Sequence, residues 1–268
     1  MIGRAALVFV ASMTVARAAM AGPSAAAPPS GATSPALVER PLLLSSGVLE
    51  VQALLAVATL DGEESYGAAP RLTIGRGGGE LEVGFSTVVA DSVADAAAEP
   101  ARLQSAFIAA RASRPGVAVG GELGTVRPNT IIEKYTLRGF VEHKRRTGAR
   151  SALEMSFASG IDHTATREPI LPEPSPYVLV ATGQIRGQVQ IAPMIALEGR
   201  TAVSMTGSID VRVFTQESED DTAFGLEYGA RAVVAARPEL DIVAGLDVPQ
   251  FDRDARLWTL GIVVRNLP

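Results

Sequence analysis

Between Ile195 and Val213 the chain alternates, residue by residue, between uncharged and polar positions. The odd positions run Ile195, Leu197, Gly199, Thr201, Val203, Met205, Gly207, Ile209, Val211 and Val213, and none carries a charge. Between them stand Glu198, Arg200, Ser204, Ser208, Asp210 and Arg212. Successive side chains of a strand point to opposite faces, so this spacing predicts a strand with one dry and one wet face. In a helix the same residues would scatter their charges around the circumference. The period of two recurs along the chain. Leu49, Val51, Ala53, Leu55 and Val57 alternate with Glu50 and Gln52; Leu81, Val83 and Phe85 with Glu80 and Glu82; Leu153, Met155, Phe157 and Ile161 with Glu154, Ser156 and Asp162. Further on, Ile185, Val189 and Ile191 oppose Arg186, Gln188 and Gln190, Phe224 to Val234 oppose Glu227 and Arg231, and Leu240 to Val248 oppose Asp241 and Asp247. Two segments alternate less cleanly. In 102–111, Leu103, Phe107 and Ala109 are set against Arg102 and Gln104, with Ser105 and Ile108 blurring the pattern. In 131–143, Tyr135, Leu137 and Val141 are set against Lys134, Arg138 and Glu142, leaving Glu133 on the apolar side, a place suited to a membrane edge.

The connectors add a second regularity. Short ones are Gly77 to Gly79, Ser113 to Gly116, Lys144 to Ala149, Ala192 to Met194 and Ala236 to Glu239, most of them punctuated by the Gly or Pro that tight turns use. They alternate with mostly longer polar ones at Leu60 to Ala69, Asp91 to Pro100, Thr164 to Pro176, Thr215 to Thr222 and Pro249 to Asp254, while Arg127 to Thr130 is short where a longer one is due. The spacing predicts an all-β chain of about 12 antiparallel strands with both ends on the short-turn side, an even number as in bacterial membrane barrels.

Composition narrows the class. Arg4, the apolar stretch Ala5 to Ala16 and Ala19-Met20-Ala21 form the three parts of a secretory signal peptide over residues 1–21. Residues 22–40 begin with an almost unbroken run of Ala, Pro, Ser and Gly and read as a flexible segment. Residues 41–268 then form one β domain. The chain has no cysteine, which removes thiolate chemistry and lipid attachment at a cysteine, and its net charge of −5 provides no basic footprint for nucleic acid. No run of about 18 apolar residues follows the signal, so any membrane crossing must be made by a closed sheet.

With these features together, the chain resembles the outer-membrane β-barrel proteins of Gram-negative bacteria. The phrases Gly79-Glu80-Leu81-Glu82-Val83-Gly84 and Arg237-Pro238-Glu239-Leu240-Asp241-Ile242-Val243 are similar to the turn-plus-strand units of that class. The resemblance implies an antiparallel up-and-down transmembrane barrel in contact with outer-membrane lipid and inserted by the barrel-assembly machinery, with long loops outward and short turns toward the periplasm. Two features depart from it. Such barrels usually end in an aromatic residue, whereas this chain ends Arg265-Asn266-Leu267-Pro268, and aromatic residues are only 5% of the chain. The candidates for an interfacial girdle are Trp258, Tyr135, Tyr177, Phe107 and Phe157.

No cofactor, metal site or catalytic motif is indicated. His163, in Asp162-His163-Thr164, is the one residue around which a Ser-His-Asp arrangement of a barrel-embedded hydrolase can be imagined; the plainer expectation is a solvated loop pair. His143 and Lys144-Arg145-Arg146 read as a basic surface turn. Glu217, Glu219, Asp220 and Asp221 form an acidic loop without the spacing of a calcium site. What remains is the wet face of the strands. Its members, expected to line a barrel interior, are Glu50, Gln52, Glu82, Arg102, Gln104, Glu122, Lys134, Arg138, Glu154, Arg186, Gln188, Glu198, Arg200, Asp210, Arg212, Glu227, Arg231 and Asp241. An open lumen would make the chain a narrow passive channel, and paired charges would make it a plugged, structural barrel. Period two also fits a soluble periplasmic barrel or sandwich that turns its dry face inward around an apolar ligand.

Overall fold

The computed structural model describes residues 37–60, 63–90, 102–114, 117–127, 132–166, 177–209, 222–249 and 255–266. After a 3-10 turn at Leu37–Glu39 come twelve strands: β1 Leu49–Leu60, β2 Glu63–Arg76, β3 Gly79–Ala90, β4 Arg102–Arg114, β5 Val117–Arg127 and β6 Ile132–Gly148, then β7 Ser151–Thr166, β8 Tyr177–Ala192, β9 Ile195–Ile209, β10 Thr222–Arg237, β11 Leu240–Pro249 and β12 Arg256–Asn266. Each strand pairs antiparallel with its neighbours in sequence, and β1 pairs with β12, from Leu49↔Asn266 to Thr59↔Arg256, to close the barrel. Closure leaves no sheet edge, so the backbone donors and acceptors of every strand have a ladder on both sides.

The alternation decides which face is which. Leu55 is 64% exposed, and Leu137, Ile185, Leu197, Val203, Ile242, Leu260 and Ile262 are exposed beside it on the outer wall, whereas Glu50, Glu82, Arg186, Arg200 and Asp241 are buried. A soluble barrel would have the opposite arrangement. Among the described residues no helix is long and apolar enough to cross a membrane, so the strands carry the apolar belt themselves.

Three sequence expectations change. Leu60 to Ala69, expected as a long connector, is strand on either side of residues 61–62, and β1 and β2 pair without interruption from Leu60↔Glu63 to Leu49↔Ile74. Pro70 hid this strand, because it cannot donate to a ladder. The β2–β3 pairing accordingly skips Ala69 and Pro70, running from Ala68↔Thr87 to Arg71↔Gly84. Lys144 to Ala149, expected as a turn, is the end of β6 with its turn at 149–150, since Lys144 and Arg146 have partners in the chain that precedes β1. The third is β4, whose faces are exchanged: Ser105, Phe107 and Ala109 are buried and Ile108 is exposed. The expected signal peptide over 1–21, the acidic loop, and the connectors at 91–100 and 215–221 lie outside the described residues.

The turns at 77–78, 149–150, 193–194 and 238–239 share one end of the barrel with Leu49 and Asn266. At Gly77 and Gly78 the backbone takes φ of 57° and 83°, a left-handed region in which a Cβ is strained. The aromatic girdle is one-sided. All four tyrosines, Tyr66, Tyr135, Tyr177 and Tyr228, and the one tryptophan, Trp258, are exposed on the outer wall in the half of their strands away from the short turns. Val57 is paired with both Tyr66 and Trp258, which lines these rings up over adjacent strands. Such rings favour the headgroup level of a membrane.

If the belt faces hydrocarbon, Leu55→Arg, near the middle of β1, destabilises the barrel by about 2–4 kcal/mol. Urea unfolding in lipid vesicles measures this; a loss below ~1 kcal/mol is what a water-facing position would show.

Candidate functional site

The interior is built from arginines and carboxylates that reach across strands. Arg265 on β12 donates from Nε to Glu50 of β1 at 2.7 Å and from Nη1 to Asp241 of β11 at 2.8 Å, and is 2% exposed. Arg71 of β2 pairs with Glu82 of β3 at 2.8 Å, while Arg111 of β4 forks to Glu80 at 2.6 Å and Glu82 at 3.0 Å. Arg186 of β8 meets Glu154 of β7 at 2.9 Å, Gln188 donates to Glu198 at 2.7 Å, and Arg138 of β6 meets Asp162 of β7 at 3.1 Å. Arg200 of β9 reaches Asp247 of β11 at 2.8 Å. That last pair passes over β10 and is possible only on the inside of the curved wall.

Small residues make these crossings possible. A Cβ on Gly229 of β10 would stand 1.9 Å from Asp247 Oδ1, so the Arg200–Asp247 bridge needs glycine beneath it. Gly84 of β3 does the same for Phe107 of β4, whose ring would lie 2.1 Å from a Cβ there, and Arg71 of β2 stacks over that ring at 5.3 Å. This is why Phe107, expected in the outer girdle, is an interior residue and why β4 has exchanged faces. Its neighbour Ser105 bonds Ser86 across the β3–β4 seam at 2.5 Å. On β5, Gly120 accommodates the ring of Phe140, over which Arg111 stacks at 5.3 Å.

The short-turn end of this interior is occupied by the chain itself. In residues 37–48, Val38, Arg40, Leu42, Leu43, Leu44 and Val48 are all buried. The Leu37–Glu39 turn packs against β7, β8 and β9, and Leu42 and Leu43 cluster with Ala118 of β5. Arg40 forks onto Asp241, with Nη2 to Oδ1 at 3.0 Å, and its carbonyl accepts from Lys144 Nζ at 2.9 Å. Leu44 N–H donates to Glu80 at 3.0 Å, and Gly47 N–H to the Gly75 carbonyl at 3.0 Å. Residues 37–40, the end of the segment that composition marks as flexible, are thus packed in the barrel; its earlier part, 22–36, lies outside the described residues.

Of the residues singled out by sequence, Glu50, Gln52, Glu82, Glu154, Arg186, Gln188, Glu198, Arg200, Arg231 and Asp241 are buried in the interior. Glu122, Lys134, Arg138 and Glu227 are half-buried at inward positions of their strands. Gln104 is exposed on the outer wall with Ile108, a correction that follows from the inward seat of Phe107. Arg102 stands at the start of the same strand, and its side chain lies outside the described residues, as do Asp210 and Arg212. Sequence reasoning passed over Arg40, Arg71, Arg111 and Arg265, and it set Glu80 and Asp247 on wet faces without counting them in the lining. Strand parity alone points to Asp247, with Asp241, and to Glu80, with Glu82. Arg231 is buried beside Arg200 and Arg186, and its Nε and Nη2 make no hydrogen bond among the described residues.

His163 is a strand residue of β7, stacked on the outer wall between Tyr135 and Tyr177 with centroids 6.3 and 4.8 Å away. Asp162 points the other way, to Arg138. The expected solvated pair is thus divided between the two faces, and Asp162 is not placed to orient its neighbour's imidazole. His143, expected in a turn, is likewise on β6.

No protein-family model matches this chain, and no curated protein matches its sequence. Solved structures do match its fold. The outer-membrane channel from Pseudomonas putida F1 is 12% identical, covering 83% of this chain and 97% of its own, at a TM-score of 0.57. The NanC porin is 10% identical over 82% of this chain and 100% of its own, at 0.54. The β domain of the Bordetella autotransporter BrkA is 10% identical over 82% and 99%, at 0.52. The chain has the fold of an outer-membrane β-barrel. Its apolar side chains form the outer wall, as in a barrel that faces lipid.

Two substitutions test the interior. Arg265→Met leaves Glu50 buried without its partner, and the expected loss is about 3–5 kcal/mol, read from the urea midpoint. Gly229→Val drives a side chain into the Arg200–Asp247 bridge for about 1–3 kcal/mol. If Gly229→Val unfolds at the wild-type midpoint, the bridge does not cross β10.

Proposed function

We propose that this chain is a narrow passive channel of the outer membrane, conducting small hydrated solutes along an interior lined by both signs of charge. The observation that carries this reading is the lining itself. A barrel that only anchors a surface has no need of the many arginines and carboxylates found on the described inner wall, since apolar side chains fill a core at least as stably as buried ion pairs do. Charged linings bias which ions pass by attraction and by the field they set up. The NanC porin and the Pseudomonas putida channel, which share the fold, support the same reading. No catalytic role is assigned to any residue, and insertion by the barrel-assembly machinery belongs to the proposal.

A second reading has its own observation. Many of the inner charges meet an opposite charge, and Arg265, Asp241, Asp247 and Glu82 are almost wholly enclosed. A barrel filled in this way serves as a structural surface protein.

Planar-bilayer recording of the refolded chain separates the two. The channel reading expects discrete conductance steps, and Glu227→Lys, at a half-buried inward position, is expected to move the reversal potential in a salt gradient toward anion selectivity. A lining that does not meet the permeating ion leaves the reversal potential where it was. Complete silence of the chain, with and without residues 37–46, establishes the structural barrel instead.

A further inference from the structure

We propose that residues 37–48 form a built-in plug that closes the short-turn mouth of the barrel, latched by Arg40 onto Asp241, and that release of the latch opens the interior. This rests on the channel reading above. The anchors of the segment are spread around the whole ring: Glu80 on β3, Lys144 on β6 and Asp241 on β11. In a closed order of twelve strands these lie three, five and four strands apart, so a chain tied to all three must span the mouth rather than follow one wall. Buried Val38, Leu42, Leu43 and Leu44 fill the space between.

The wall is arranged to survive the plug's departure. Asp241 keeps Arg265, which is also held by Glu50, and Glu80 keeps Arg111. Lys144 stands directly opposite Glu154 in the β6–β7 register. Release therefore takes Arg40 to water without leaving an unpaired carboxylate on the wall, which is the usual penalty for breaking a buried pair. The segment also has a hinge. Gly47 has a φ of 86°, nothing within 4 Å of its Cβ position, and stands next to the exposed Ser45 and Ser46, just before β1 begins.

Bilayer recordings of the full chain, of Arg40→Gln and of a chain lacking residues 37–46 test the plug. The expected results are an open probability at least about fivefold higher for Arg40→Gln, and a permanently open, larger conductance for the deletion. If all three conduct alike, the plug proposal is overturned while the channel reading stands; if none conducts, both are. Because the chain has no cysteine, Val38→Cys supplies a second measurement that needs no deletion. A membrane-impermeant thiol reagent is expected to label it at least about ten times faster when Arg40→Gln is present, and equal rates overturn the latch.

Discussion

A peptide backbone inside hydrocarbon has no water to turn to, and each unsatisfied N–H or C=O there costs several kcal/mol. The β1–β12 seam answers that constraint. From Leu49↔Asn266 to Thr59↔Arg256 the first and last strands complete each other's ladders, and no edge remains. Once the sheet is closed, the pleat sends every other side chain outward, and the outward set must be one that lipid accepts. Leu55, Leu137, Val203 and Leu260 meet that demand, and the girdle of Tyr66, Trp258, Tyr135 and Tyr177 marks one boundary of the belt. The charges are inside because the outside is closed to them.

Enclosure creates the second problem, that of ionised groups crowded in a small volume. The chain resolves it by pairing across strands and by removing side chains where pairs must pass. Gly229 lies under the Arg200–Asp247 bridge, and Gly84 under the ring of Phe107. Pairing also extends to the segment before β1, where Arg40 shares Asp241 with Arg265. The same groups that line the wall thus position the chain that fills its mouth.

Much of this was legible in the residues. β9 and β11 announce themselves because no charged residue falls on their apolar faces, and Arg200, Glu198 and Asp241 are where parity puts them. β2 and β4 did not yield to the same method. In β2, Pro70 and the small residues Gly67, Ala68 and Ala69 mute the alternation. In β4, Gln104 and Ser105 give both faces a polar member, so the choice fell to Phe107, and hydrophobicity alone assigns an aromatic ring to lipid. Its real environment is made by Gly84 and Arg71, on two other strands.

Local order therefore determined that this chain forms strands, about how many, and which residues share a face, because the pleat is a property of neighbouring residues. Whether a dry face looks outward, which arginine meets which carboxylate, and that residues 37–48 return into the barrel were decided by tertiary structure. Those outcomes depend on closure, which sets side by side residues as distant as Glu50 and Arg265, or Arg40 and Asp241. No window along the chain contains both partners, so no periodicity can register their meeting.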